Sequence, residues 1–536
     1  MNIAATTTDK LSPRILASLL PQYGVTDAVL CPGSRNAPLN VAVGRTPGLT
    51  VHTAVDERAA AFMAMGMSLA SGRAVVMCCT SGSALLDASA AVAEAYYRHV
   101  PLIVVSADRP RRWIDQDDSQ TIRQPGALAA VVKRTVDIAE TDDPAYAERL
   151  INDALTAATD GPVHINLQID APLDGQVPAD TPLTVGRIHT LAPAETAQSL
   201  AATPAISALA DELAAEPSLL IYIGGLNSAF EPIPQLEAVL HTLALSGVEV
   251  VAEFQSGLRG PLLHRTIAAA PAAVVSFGGA PVCVGAKRLL RQKPPRLHVR
   301  LSTTDRDGYV DTYECLTHLV DSHPLPFLEL VARRRRQFPP VAPQPLPAGG
   351  EWGEPFAVSR LIESADGMDQ HLSNGTVIRW AQRCAVPSGT RVFCNRGVSG
   401  IDGCTSTAVG SAAVSGRATL LITGDMSFLY DIGALMLPGI PSTMRVAVID
   451  NGGGGIFRLA ASTRQLPERD AMFCAPGGKM PEAAAVARAF GWDAVEVTGS
   501  EQLDALLSGG WMHNNGAGPC VMIVKCGSEP SRYEFL

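Results

Sequence analysis

Cysteine pairs spaced CxxC are missing from this chain of 536 residues, and its eleven cysteines are odd in number. That excludes a closed disulfide framework and the usual zinc-ligand spacing. It fits a reducing cytosol in which thiols pack into cores. Long apolar runs are missing too. Nothing approaches the roughly 18 uninterrupted apolar residues of a membrane span, and "MNIAATTTDKLSPRILASLL" lacks a basic start followed by a sustained apolar stretch. Basic excess is absent: the formal net charge is −10, which argues against a general nucleic-acid binder. The one basic run, Arg333 to Arg336, precedes the Pro-rich "FPPVAPQPLPAGG" and reads as a solvated helix end at a domain boundary. Charged residues are only 18% and aromatics 5%, against 47% hydrophobic, so material for large cores is ample. A soluble, cytoplasmic protein is expected.

What the chain does contain is rhythm. "DAVLCPGSR", "LTVHTAVDER", "RAVVMCCTSGS", "VPLIVVSADRP" and "GPVHINLQID" are short apolar runs ending in polar tips, each followed by a helical pattern. Buried strands alternating with helices predict an α/β fold with mainly parallel sheets. Ligands of such sheets sit outside the carboxyl ends of the strands. Residues 171–185, "APLDGQVPADTPLTV", read as a linker, and so does "PPVAPQPLPAGGEWGEP". They divide the chain into units at 1–180, 186–340 and 351–536. The middle unit carries the glycine pairs Gly224–Gly225 and Gly278–Gly279. Neither completes GxGxxG, so both read as structural turns.

The third unit contains "VAVIDNGGGGIF", an apolar run that passes Asp450 and Asn451 into four consecutive glycines. Glycine loses the most freedom on ordering, so four together suggest a backbone that must approach something closely. No Lys-Ser or Lys-Thr follows, which excludes a P-loop, and Phe457 stands where a dinucleotide fingerprint needs its third glycine. Upstream, "ATLLITGDMSFLYD" is another apolar strand, ending at Gly424–Asp425. The interval to Asn451 accommodates one helix and a return strand, so both residues project from neighbouring strand ends. A carboxylate, an amide oxygen and a glycine carbonyl make a hard half-site that Mg²⁺ uses when diphosphate oxygens complete its octahedron. Backbone N–H groups beside the glycines would then meet the phosphates. The same residue types also serve as an Asp helix cap and an Asn-Gly turn.

Gly-Asp, a spacer of this length, then Asn with Gly two positions on, resembles the motif of the thiamine diphosphate-dependent enzymes. Met426 stands where that motif usually has a further glycine. The resemblance implies three doubly wound domains: pyrimidine-binding, central Rossmann-like and diphosphate-binding. It also implies thiamine diphosphate as cofactor. Asp425, Asn451 and the Gly453 carbonyl would hold Mg²⁺ (or Mn²⁺), and Gly424, Met426, Ser427 and Ile456 would line the cofactor. The family further requires a glutamate at a helix start in its first domain. "TAVDERAAAF" supplies Glu57, facing an Ala/Met-rich helix. Apolar surroundings raise a carboxyl pKa, which suits a group that shares a proton with the cofactor's pyrimidine ring. Taken alone, Asp56 and Glu57 would read as complements to a helix dipole.

Within that family, "CPGSRNAPL", "DERAAAF", "TSGSALL", "SADRP", "SQTIRQPG", "GAKRLL", "CNRGVSGIDG", "STAVG" and "DNGGGGIF" resemble, in order, segments of one group. These are the 2-succinyl-5-enolpyruvyl-6-hydroxy-3-cyclohexene-1-carboxylate synthases of menaquinone biosynthesis. The group decarboxylates 2-oxoglutarate and adds the remaining unit to isochorismate. Both substrates are dicarboxylates, which calls for fixed cations with planar geometry. The matching positions are Arg35, Arg109, Lys287, Arg379 and Arg396, with Ser34, Gln120 and Asn374 as polar partners. Ile401 would be the apolar wedge beneath the cofactor. The family assembles as homodimers or homotetramers, with Glu57 of one chain serving the diphosphate domain of another. Two positions depart from the pattern: Gly375 replaces a usual serine, and Ser119 stands where Asn is common. A serine restored at position 375 is expected to tighten substrate binding. An acetolactate synthase-like carboligase is the alternative, but its flavin-binding middle domain finds no match. No adjacent His-His pair supports a pyruvate-decarboxylase-type site either.

Overall fold

The computed structural model describes residues 6–191, 194–303, 309–342, 346, 350–474, 480–513 and 518–527. In the first stretch the strands are β1 (Thr6–Thr8), β2 (Asp27–Leu30), β3 (Thr50–Thr53), β4 (Val75–Cys79), β5 (Leu102–Asp108), β6 (Arg134–Ile138), β7 (Val163–Gln168) and β8 (Gln176–Pro178). The second stretch holds β9 (Leu219–Ile223), β10 (Glu249–Ala252), β11 (Leu263–His264), β12 (Ala273–Phe277), β13 (Leu297–Ser302) and β14 (His318–Asp321). The third holds β15 (Asp369–Leu372), β16 (Arg391–Cys394), β17 (Thr419–Gly424), β18 (Met444–Asp450), β19 (Asp493–Val497) and β20 (Cys520–Lys525).

Three six-stranded sheets result, in the orders β3-β2-β4-β5-β7-β6, β11-β10-β9-β12-β13-β14 and β16-β15-β17-β18-β20-β19. Every pairing within them is parallel. The central strands β4, β5, β7, β9 and β12 are buried at every residue, as continuous apolar runs covered by helices on both faces should be. Each sheet has a crevice from which neighbouring strands lead off to opposite sides: between β2 and β4, between β9 and β12, and between β15 and β17. Those crevices are where a doubly wound fold receives ligands.

The first and third stretches share one core cluster. Its seam is the helix Glu57–Ser71 crossing the helix Cys404–Ser415. A Cβ on Gly66 would lie 2.0 Å from the Thr407 carbonyl oxygen, and one on Gly410 would lie 2.0 Å from the Met63 oxygen. Only hydrogen at those two positions permits this approach.

Two sequence expectations need correction. The linker at 171–185 is partly ordered, because β8 within it pairs antiparallel with β1 and ties the two ends of the first unit together. The basic run is not simply solvated. Arg334 Nη1 donates to the Ser207 carbonyl at 2.8 Å, and Arg335 Nη1 donates to the carbonyls of Leu213 (3.1 Å) and Ala214 (3.3 Å). Arg335 thus caps the last turn of the helix Pro204–Ala215, whose carbonyls have no partner within the helix.

Candidate active site

Strands β17 and β18 lie side by side with Gly424 level with Ile449, so Asp425 and Asn451 emerge together at the carboxyl edge. Asp425 opens the helix Asp425–Tyr430 and is only 5% exposed. Its Oδ1 accepts from the Met426 N–H at 2.7 Å, and Oδ2 accepts from the N–H groups of Asn451 (3.2 Å) and Gly453 (2.7 Å). Burial, with nearby Asp450, pushes its pKa up to about 6. No ion pair reaches it among the described residues. Asn451 is also buried, with Oδ1 accepting from the Gly455 N–H at 3.2 Å. An oxygen-only donor set around a buried carboxylate short of positive charge fits a hard divalent cation.

The glycines have two separate reasons to be glycine. Gly452, Gly453 and Gly454 have φ of 77°, 87° and 57°, the left-handed region. A Cβ on Gly453 would also lie 2.1 Å from the Cys474 carbonyl oxygen, and one on Gly454 would lie 2.8 Å from that of Phe473. The close approach visible here is therefore to the chain's own turn, Asp470–Cys474.

Around this edge the structure gathers most of the expected residues of the third unit. Ser427 Oγ donates to the Ile401 carbonyl at 2.7 Å, and the Gly424 N–H donates to Ser373 Oγ at 3.2 Å. Asn374 Nδ2 donates to the Gly400 carbonyl at 2.7 Å, and its Oδ1 accepts from Arg396 Nη1 at 3.0 Å. Met426 and Ile456 are half-buried beside Asp425 and at the start of Ile456–Leu459. Lys287 joins them from the middle unit. Burial and the charges of Arg396, Arg291 and Arg379 hold its ammonium below the ordinary range, with Glu253 opposing. Arg379 Nη1 donates to the Gly375 carbonyl. Gly375 itself has φ 94° with no atom within 4 Å of an added Cβ. A serine there would be strained by its backbone alone, so the expected gain from the missing hydroxyl is overstated.

A second set forms at the first sheet. Arg35 follows β2, donates to the Ile169 carbonyl at 2.8 Å, and is held below its ordinary pKa by burial and by Arg109. Arg109 Nη1 pairs with Asp118 at 2.8 Å, and its Nε donates to the Ser119 carbonyl at 3.0 Å. Gln120, at φ 60°, lies over Gly82 on the rim of a cavity of about 460 Å³ shared with Asp115, Asp117 and Asp118. Ser34 is exposed nearby in sequence. Glu57 begins its helix half-buried, and burial, reinforced by Asp87 and Asp56, holds its carboxyl above the ordinary range. Asp56 alone does the capping, accepting from the Ala59 N–H at 3.0 Å. Glu57 has no hydrogen bond or ion pair to the Asp425 edge among the described residues.

Some participants gave no motif. Glu94, 1% exposed, accepts from the N–H groups of Gly397 (2.8 Å) and Val398 (2.7 Å), fixing the loop that carries Arg396 and Ile401. Glu354 takes up the amide of Asn451. An acid on the apolar face of "SAAVAEAYYR" was a readable signal for the first; the second lies far away in sequence. At the middle sheet's crevice, the glycine pairs meet each other. The Gly279 N–H donates to the Gly225 carbonyl at 2.7 Å, and a Cβ on Gly224 would lie 2.0 Å from the Gly279 oxygen. The start of the helix Val284–Gln292 is filled by the Glu253 carboxylate, which accepts from Val282 and Cys283 N–H at 2.8 Å each. That is where a nucleotide phosphate would sit. The structural reading of those turns agrees with the geometry.

No helix among the described residues is long and apolar enough to cross a membrane. Residues 13–127 match the family model for the thiamine pyrophosphate enzyme N-terminal TPP binding domain. The fold is similar to that of a crystal structure of benzoylformate decarboxylase from Polynucleobacter necessarius, with TM-score 0.74 and 17% identity, covering 98% of this chain and 100% of that one. A 2-succinyl-5-enolpyruvyl-6-hydroxy-3-cyclohexene-1-carboxylate synthase of Bacteroides thetaiotaomicron is 36% identical over 84% of each chain. The synthase of the same name from Porphyromonas gingivalis is 34% identical, over 93% of this chain and 92% of that one. This chain belongs to the 2-succinyl-5-enolpyruvyl-6-hydroxy-3-cyclohexene-1-carboxylate synthase family of thiamine pyrophosphate enzymes.

Proposed function

We propose that this enzyme, a carboligase of the transferase class, joins 2-oxoglutarate to isochorismate with thiamine diphosphate held through Mg²⁺ (or Mn²⁺). The bond from the oxo carbon of 2-oxoglutarate to its carboxylate breaks, and carbon dioxide leaves. A bond from that same carbon to the isochorismate ring forms, with uptake of one proton. The cofactor, when bound, supplies the electron sink that this decarboxylation needs. Asp425, Asn451 and the Gly453 carbonyl hold the cation. Gly424, Met426, Ser427, Ile401 and Ile456 support the cofactor, and Glu57 keeps and releases a proton at its carboxyl oxygen. Arg35, Arg109, Lys287, Arg379 and Arg396 bind and orient the substrate carboxylates, with Ser34, Gln120 and Asn374 alongside. The observation that carries this reading is the pairing of Asp425 and Asn451 at adjacent strand ends beside a gathered set of cations.

The chain works as three units, 1–180, 186–340 and 351–536, each with one six-stranded sheet in support. It acts as a homodimer or homotetramer in the cytoplasm, a setting that the free thiols of Cys31, Cys78 and Cys79 support. Two facts favour assembly. The family to which the chain is similar shares its sites between chains, and Val55, Val398 and Tyr430 are exposed apolar side chains (76%, 46% and 54%) available to a second copy. The decisive assay gives purified protein thiamine diphosphate, Mg²⁺, 2-oxoglutarate and isochorismate and follows both substrates. Equimolar loss of both with release of carbon dioxide is expected; loss of 2-oxoglutarate that ignores isochorismate overturns the acceptor.

A further inference from the structure

An asparagine can serve a cation only through its oxygen, and its two amide ends are interchangeable in shape. Something must therefore fix which end of Asn451 faces inward. The two neighbours of the amide are both unambiguous. The Gly455 N–H, 3.2 Å from Oδ1, can only donate. The Glu354 carboxylate, 3.2 Å from Nδ2, can only accept. Glu354 is 7% exposed and is itself held by the Trp380 indole, whose Nε1–H donates to the other carboxylate oxygen at 3.2 Å. It is the first residue of the helix Glu354–Glu363, where the helix dipole favours a negative group.

From this geometry we infer that Glu354 is a positioning residue for the cation site, locking the Asn451 amide so that its NH₂ end is held at Glu354 and its oxygen is kept free of that role for the cation. The inference rests on the proposed metal role of Asn451. A glutamine in place of Glu354 has nearly the same shape but carries both a donor and an acceptor, so it would accept either orientation of the amide. Outer partners of metal ligands typically change metal affinity about 10- to 100-fold when altered.

The test measures thiamine diphosphate binding to the full chain by calorimetry across a Mg²⁺ titration, with no substrate present. In Glu354→Gln the Mg²⁺ concentration for half-maximal binding is expected to rise about 10-fold or more. The change is then repeated in an Asn451→Asp background, where both side-chain oxygens are equivalent and orientation no longer matters. There Glu354→Gln is expected to leave the Mg²⁺ requirement unchanged, or to lower it by removing a like charge. A purely electrostatic or purely scaffolding role would weaken Mg²⁺ in both backgrounds, and that result overturns the inference, as does no change in the native background. If Glu354→Gln fails to fold, Glu354→Met, which offers no acceptor, is read in the same way. Asp425→Ala separates the levels: Mg²⁺-dependent binding that survives it removes the metal reading itself, whatever Glu354 does.

Discussion

The crevice of the middle sheet and the crevice of the third sheet are built from the same parts and end differently. Each has an apolar strand, a glycine turn, a helix start and a buried carboxylate. In the middle unit the glycines close on each other, and Glu253 is saturated by the Tyr222 hydroxyl, the Gln255 amide and two backbone N–H groups. In the third unit Asp425 receives three backbone N–H groups and no side-chain donor among the described residues, which leaves a place on its carboxylate for a further ligand. A glycine turn is thus no sign of a ligand by itself. The sign is a buried carboxylate that the chain leaves with fewer donors than it can accept.

The sharpest break of that contrast is Asp425→Ala. If the third crevice is the one built for a cation, this variant loses Mg²⁺-dependent thiamine diphosphate binding altogether while circular dichroism stays native. Unchanged affinity by calorimetry would make the two crevices equivalent. Next in size is Glu57→Gln, which keeps the side chain's shape but not its proton exchange. Turnover should fall by about 10²- to 10⁴-fold with cofactor binding retained. If, as proposed, Glu57 of one chain serves the Asp425 edge of another, mixing this variant with Asp425→Ala should restore some activity.

Smaller effects compare the glycines directly. Gly224→Ala and Gly453→Ala each place a methyl about 2 Å from a carbonyl oxygen, so each should lose about 1–3 kcal/mol of stability. Only Gly453→Ala should also weaken cofactor binding; differential scanning calorimetry paired with a binding titration reads both quantities. The carboxylates offer a parallel contrast. Asp431, fully buried and bonded to Ser406 N–H and Oγ at 2.7 Å each, has its pKa pushed up to about 7 by burial. The unfolded chain releases that proton near pH 4 and the folded chain only near pH 7, so stability falls as pH rises between them. Asp431→Asn should flatten the melting temperature over that range without touching Mg²⁺ dependence.

How much of this was legible beforehand follows the distances involved. The Asp425–Asn451 pairing was readable because two adjacent strands and one helix fix it locally. The α/β alternation was readable for the same reason: buried strands announce themselves as apolar runs. The partners of these residues were not. Glu354 reaches Asn451 from the first helix of the third unit, and Glu94 reaches the Arg396 loop from a helix of the first unit. A lone acid at a helix start has many uses, and only tertiary packing selects one. The basic run is a helix end with Arg333 and Arg336 exposed, as expected, but the capping of a neighbouring helix by Arg335 leaves no trace in its own sequence. Asp118 on Arg109 belongs with these: the pair is local, yet nothing in "DQDDSQ" says which acid turns inward.

Gly375 supplies the finest comparison, because it needs glycine for conformation and not for close approach. Its φ of 94° is unfavourable for any side chain, whereas the space around it is open. A residue forced into the left-handed region costs about 1–2 kcal/mol. A new hydrogen bond from a serine hydroxyl returns about 0.5–1.5 kcal/mol, somewhat more to a charged group. The two nearly cancel. The neighbouring hydroxyl of Ser373 is already engaged, accepting from the Gly424 N–H and donating to the Asn374 carbonyl, so it does not substitute. Gly375→Ser and Gly375→Ala should therefore lower the melting temperature equally, by the shared backbone strain. Their KM values should then differ by the hydroxyl alone, with serine the lower by less than about tenfold. Steady-state kinetics that vary 2-oxoglutarate and isochorismate separately would show which substrate feels it. If serine and alanine give the same KM for both, no substrate group lies within reach of position 375, and the glycine serves the backbone only.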